Sequence, residues 1–318
     1  MNYTTARFLG LHDIALQSVR YDVSAQRLRH SCGPPFASSA SPGRADAMPG
    51  IGLAVLAAAM GQRARDLERI RSALHEAGAV ARRFTRETMT VDYKGDHSPL
   101  TEADVAVDVL LRETLPEADE GWLSEESTDD VSRLERHRVW IVDPIDGTRE
   151  FLTGIGHWSI SIGLAENGSV VAGGIYNPTT DEMFLGALGS GVTLNGVPVS
   201  AADRDRLEGA VVVMSRWALK KRWRGVLSDA PCTVLTVDPL AYSLALVAAG
   251  RADAMWSHSP KWEWDVGAGT ALVIAAGGRV TTWDGGTPAF NRWPPRIPGI
   301  VASSAPISRD LRRLLRAA

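Results

Sequence analysis

Residues 138–151 read RVWIVDPIDGTREF. The run Val139-Trp140-Ile141-Val142 is apolar without alternation, as in a strand buried on both faces. It drives straight into Asp143. Pro144 has no N–H to give a ladder, so the strand is expected to stop there. Asp146 stands three positions after Asp143, and Gly147-Thr148 then leads into REFL, a helical turn. Two carboxylates are thus delivered to the end of a buried strand, where open α/β sheets bind ligands. Like charges in a poorly solvated place repel unless something positive neutralises them. No Lys or Arg lies within VDPIDGT, so a divalent cation is the economical partner. A Gly-Thr pair at a helix start offers N–H groups and a hydroxyl to a phosphate. Taken alone, the stretch also fits an Asx turn with Asp146-Gly147 as an ordinary turn dipeptide.

Three other segments bring acids to similar places. In SPLTEADVAVDVLLRETL, Thr101 reads as an N-cap with Asp104 three residues on, a capping-box variant. Asp104 and Asp108 share a face of that helix. SEES (124–127) sets Glu125 and Glu126 after Trp122-Leu123, at a second strand end. KWEWDVGAG puts Asp265 at the opening of another helix. Each has an ordinary use, as a first-turn acid favoured by the helix dipole or as a solvated acidic loop.

The rest of the chain bounds the reading. It has 318 residues, 45% apolar and 22% charged, enough for a substantial core in one large domain or two moderate ones. A net charge of -3 offers no broad footprint for a nucleic acid polymer or an anionic membrane. Cys32 and Cys232 form no metal spacing and no disulfide framework, which fits a reducing, cytoplasmic location. The apolar run 51–60 is too short to span a membrane. Residues 1–50 include a Ser-, Pro- and Gly-rich stretch and read as a loosely ordered extension. A helical period is legible from about residue 61, at Leu67, Ile70, Leu74 and Ala77. Asn167-Gly168 and Asn195-Gly196 mark hairpins. GAVVVMS, ADAMWS and GIVASS read as strands. LAYSLALVAAG and WDVGAGTALVIAAGG read as helices closed by Gly250 and Gly277-Gly278. The organisation expected is an α+β half over 51–200 carrying metal and phosphate groups, and an α/β half over 201–318 carrying substrate groups.

The segments SPLTEAD (98–104), LSEES (123–127), WIVDPIDGTREF (140–151) and EWDVGAG (263–269), in this order, resemble the inositol monophosphatase superfamily of metal-dependent phosphatases. The resemblance runs from about residue 61 to the C-terminus and implies a layered αβαβα fold. It implies that Glu125, Asp143 and the Ile145 carbonyl bind one Mg²⁺, and that Asp143, Asp146 and Asp265 bind a second. Asp104 would help hold a third ion and, with Thr148, orient the attacking water; Glu125 is counted with this catalytic pair. Gly147 and Thr148 would meet the phosphate, alongside Asp146 and Asp265. The chemistry agrees: the donors are all oxygen, which favours Mg²⁺ or Mn²⁺ over Zn²⁺. Two such ions about 4 Å apart activate water and stabilise the leaving oxygen. The resemblance also points to a homodimer.

The T-R-E-F ending with L-S-E-E is more similar to the 3'(2'),5'-bisphosphate nucleotidase (CysQ-type) branch than to the inositol branch. The inositol enzymes place a sugar-binding acid seven positions before the W-D aspartate; here that position is His258. A protonated imidazole would welcome a second phosphate, and Lys261 lies four residues before Asp265. One segment departs from the nucleotidase pattern. Asp238, Pro239 and Ser243 stand where Gly, Ser and Lys are expected, so a substrate-facing cation is lost. Lys220, Lys221, Arg222 and Arg224 are candidates to replace it, though KKRWR also reads as a solvated helix face. Trp256, Trp262 and Trp264 read either as core or as stacking surfaces. The expected reaction is hydrolysis of the 3'-phosphate of 3'-phosphoadenosine 5'-phosphate. The alternatives are an inositol-1-phosphate or other small sugar-phosphate phosphatase, and a non-catalytic phosphate- or metal-binding relative. An aspartyl-phosphate enzyme is disfavoured because two residues, not one, separate Asp143 from Asp146.

Overall fold

The computed structural model of the chain describes residues 7–9, 49–85, 90–95 and 99–317. Helices and sheets alternate in five layers, αβαβα. The first layer is the helix Pro49–Ala81 with the helix Glu102–Thr114. Ile70, Leu74, Ala77 and Ala81 recur at helical spacing and are fully buried with Val107 and Leu111 against Trp140, Val142, Ile160 and Ile162 of the first sheet. The helix starts well before the expected residue 61. Residues 51–60 lack the charges that reveal a helical phase, but their Ala and Leu residues favour helix and Pro49 suits a first position. Residues 7–9 form a strand at the edge of the second sheet. The rest of 1–48, on which the expectation of a loosely ordered extension falls, lies outside the described residues.

The first sheet has seven strands, in the order Val197–Val199, Gly191–Leu194, Glu182–Ala187, Ser169–Asn177, Ser159–Glu166, Arg138–Asp146 and Gly121–Ser124. All neighbours are antiparallel except the last pair, which is parallel. Both Asn-Gly pairs turn hairpins with positive φ at both residues, the geometry that matches strand twist. The middle layer is Leu240–Ala248 and Glu263–Ala275. The second helix lies unusually close to the sheet. A Cβ on Gly173 would stand 2.6 Å from the Ala268 carbonyl oxygen, and one on Gly163 would stand 2.9 Å from the Ala268 nitrogen. Only glycine lets backbone meet backbone there.

The second sheet has six strands, in the order Arg7–Leu9, Cys232–Thr236, Ala210–Met214, Ala254–Ser257, Ile300–Ser303 and Arg279–Thr282. A helical stretch over 216–228 and the helix Ser308–Ala317 cover its outer face. The sheets part near residue 200, but the middle helices bury against both, so Ile141 and Ile175 share a core with Leu244, Ala268 and Ile300. No helix among the described residues is long and apolar enough to cross a membrane.

Candidate active site

The strand Arg138–Asp146 does not stop at Pro144. It pairs Asp143 with Ser161, shifts register by one extra residue, and pairs Asp146 with Ser159. Proline costs one ladder bond; a bulge absorbs the loss and re-aims the side chains around it. The Ile145 N–H donates to Asp143 Oδ1 at 3.1 Å. Glu125 follows the neighbouring parallel strand, and its N–H donates to the Val142 carbonyl at 3.3 Å. Asp265 arrives from the middle layer, in the first turn of Glu263–Ala275, where it accepts the Trp262 N–H at 3.0 Å. One carboxylate oxygen each from Glu125, Asp143 and Asp265 lie within 4.8 Å of one another.

Asp146 stands beside this trio rather than within it. Its carboxylate accepts the Ala241 N–H at 2.7 Å and the Leu240 N–H at 3.3 Å, at the start of the helix Leu240–Ala248. Gly147 turns the chain with φ 94°, and a Cβ there would meet Pro239 at 2.6 Å. Thr148 opens a helix to Thr153. Its hydroxyl lies 3.2 Å from the Ile145 carbonyl and 3.4 Å from Asp104 Oδ1. Asp104 is fully buried, and its other oxygen accepts the Thr101 N–H at 2.8 Å, completing the expected capping box.

These acids repel. Burial, then the charges of Glu125, Asp146 and Asp265, hold the Asp143 carboxyl well above its ordinary range. Burial and Asp265 push Asp146 up to about 8, against the two N–H groups that lower it. Burial and Glu125 push Asp265 up to about 7, opposed by Lys261. Burial pushes Asp104 up to about 6. Among the described residues, Asp143, Asp146 and Asp265 form no ion pair. A cluster of hard oxygen donors that is costly without positive charge fits Mg²⁺ or Mn²⁺.

Sequence reading missed Lys94. Its ammonium lies 2.8 Å from Glu125 and 2.7 Å from Glu126, reaching in from the loop before SPLTEAD. Burial opposes its charge, but the two carboxylates raise its pKa. The Ser159 and Ser161 hydroxyls, opposite Asp146 and Asp143, were also missed. Both are buried without a hydrogen-bond partner among the described residues. The signal was two serines at alternate positions opening an otherwise largely apolar strand.

The expected substrate residues lie to one side. His258 is exposed, with its ring edge-on to Trp283 at 4.7 Å. His258 and Lys261 line a cavity of about 340 Å³ that has no carboxylate in its wall. Trp256 is buried and lines the same cavity; Trp262 stacks on Trp264 at 4.9 Å instead. Asp238 is held by Arg216, whose backbone N–H donates at 2.8 Å and whose side chain also reaches Glu150 at 2.9 Å. The Ser243 hydroxyl donates to the Pro239 carbonyl at 2.8 Å.

Residues 63–316 match the model of the inositol monophosphatase family. An inositol-1-monophosphatase of Rhizobium meliloti (strain 1021) is 32% identical over 256 residues, covering 77% of this chain and 93% of the relative. A 3'(2'),5'-bisphosphate nucleotidase CysQ of Buchnera aphidicola is 29% identical over 214 residues, covering 64% of this chain and 78% of the relative. Among solved structures, the extragenic suppressor protein suhB from Bartonella henselae superposes with a TM-score of 0.68 at 30% identity, covering 78% of this chain and 97% of that one.

Proposed function

This chain belongs to the inositol monophosphatase family and is a phosphatase, and on that premise we propose that it removes the 3'-phosphate of 3'-phosphoadenosine 5'-phosphate with Mg²⁺. In this reading Glu125, Asp143 and the Ile145 carbonyl hold one ion, and Asp143, Asp146 and Asp265 hold a second. Bound there, the ions would supply an activated water and charge stabilisation at the leaving oxygen. The Thr148 hydroxyl positions that water and passes its proton to Asp104, whose Oδ1 lies 3.4 Å away. Asp104 suits that role, because burial raises its proton affinity to about 6 while Thr101 fixes its other oxygen. Gly147 and Thr148 offer N–H groups to the phosphate. We place the enzyme in the cytoplasm, where the buried, free Cys232 stays reduced.

The observation that carries the nucleotide reading is the cavity at His258 and Lys261. Its wall has cations and no carboxylate, which suits a second anionic group better than a polyol. A second reading, hydrolysis of inositol 1-phosphate, is favoured by the activity for which the Rhizobium relative is named. A panel of 3'-phosphoadenosine 5'-phosphate, inositol 1-phosphate, fructose 1,6-bisphosphate and histidinol phosphate decides between them. The nucleotide is expected to lead. Inositol 1-phosphate ahead by more than about tenfold in kcat/KM, roughly 1.4 kcal/mol, overturns that ranking.

A further inference from the structure

Two features of the helical stretch after Ser215 bear on the same cavity. Trp217, Lys221, Arg222 and Trp223 all line it, opposite Ser257, His258 and Lys261. The backbone over Leu219–Trp223 is a π-helix, with the Arg224 N–H bonded to the Leu219 carbonyl five residues back. In an α-helix Trp217 and Lys221 share a face, but residue 222 rotates away. The wider turn brings Arg222 round to join them. Such π segments are rare and cluster at functional sites.

The charges there are uncompensated. Neither Lys221 nor Arg222 forms an ion pair among the described residues, and no acid lines the cavity. Lys221 instead lies over the Trp217 ring, 4.5 Å from its centre, which holds the ammonium without neutralising it. Lys261, in the same wall, begins the two-residue strand that runs directly into the helix carrying Asp265 in its first turn, so the cavity adjoins the acid cluster. Ser243 stands where the nucleotidase resemblance leads one to expect a substrate-facing lysine, and the nearby Arg216 is spent on Asp238 and Glu150. Lys221 and Arg222, with Lys261, supply the positive charge of the cavity wall. The cavity, about 340 Å³, has the size of small-molecule sites.

We propose that Lys221 and Arg222 form a second anion subsite that binds a substrate phosphate which is not cleaved, with Trp217 positioning Lys221. This deepens the phosphatase reading above and rests on it. Bisphosphorylated small molecules are then the preferred class, and these two residues set that preference.

The test uses the full-length, Mg²⁺-loaded protein. It compares kcat/KM for adenosine 3',5'-bisphosphate with that for adenosine 3'-monophosphate, in wild type and in the double variant Lys221→Ala/Arg222→Ala. The bisphosphate-to-monophosphate ratio is expected to fall roughly tenfold to hundredfold, the worth of hydrogen bonds to a charged group. The loss should appear mainly in KM and shrink as salt is added, and Lys221→Arg should retain most of the preference. A ratio within about twofold of wild type, with an unchanged thermal midpoint, overturns the subsite. If wild type cleaves inositol 1-phosphate and neither nucleotide, the nucleotide reading fails. The subsite is then judged by the same criterion on inositol 1,4-bisphosphate against inositol 1-phosphate. Release of phosphate from none of the four overturns both.

Discussion

The Asp143 and Asp265 carboxylates approach within 4.8 Å although one lies beside the bulge in a strand of the first sheet and the other opens a helix of the middle layer. No cation of the protein pairs with either among the described residues, and burial and mutual repulsion raise both above the ordinary carboxylate range. The fold therefore stores repulsion at this point, which a bound divalent ion would relieve. Asp143→Asn removes a ligand shared by both proposed ions and is expected to abolish Mg²⁺-dependent turnover. The same change should raise the thermal midpoint in chelator by roughly 1–2 °C, the effect of about 1 kcal/mol in a chain of this size. Thermal scans with and without Mg²⁺ check both halves; normal activity in the Asn variant refutes the role.

Lys94 bridges Glu125 and Glu126 and supplies part of the missing positive charge when no ion is bound. Lys94→Met should lower the thermal midpoint in chelator more than in saturating Mg²⁺. Equal losses in the two conditions would mean that the lysine only packs.

The close approach of Ala268 to Gly173 sets how far the Asp265 helix stands from the sheet. Gly173→Ala forces a Cβ against the Ala268 carbonyl. Overpacking of this kind costs about 1–3 kcal/mol, and here it should also move Asp265 away from Asp143. Expected are a lower midpoint in urea and a weaker Mn²⁺ affinity by calorimetry. A stable variant with unchanged affinity would show that the helix position is not critical to the cluster.

Glu120 gives a pH signature remote from the site. Burial opposes its charge, but Arg69, the Glu117 N–H, Trp140 and Arg138 lower its pKa to about 2. A depressed carboxyl adds stability that is fully present above its unfolded pKa of about 4.5. That stability is lost as pH falls toward about 2. Glu120→Gln should flatten the acid limb of the stability profile. At neutral pH it should cost about 1.5–3 kcal/mol, the worth of hydrogen bonds to a charged group, because Arg138 keeps Asp66 and Glu166 and Arg69 keeps Glu117. Urea midpoints from pH 7 to 2 measure both effects.

Much of the fold was legible locally in the chain. Asn167-Gly168, Asn195-Gly196 and the Thr101–Asp104 capping box each carry their geometry in a few adjacent residues. The start of the first helix at Pro49 was hidden because an apolar, Ala-rich run has no polar face to set its phase. Pro144 suggested a strand end, because nothing in its neighbours announces the bulge that lets pairing resume at Ser159. Lys94 and the Lys221–Arg222 cavity depend on contacts between distant elements, and a charged residue in a loop carries no mark of which acid, if any, it will meet.

Phosphate release by chelator-stripped protein, titrated with Mg²⁺ on 3'-phosphoadenosine 5'-phosphate, tests the account at its centre. Activity absent in chelator, saturable with the ion, and lost in Asp143→Asn is the expected result. Hydrolysis that persists undiminished in chelator, or that Asp143→Asn leaves intact, would contradict it.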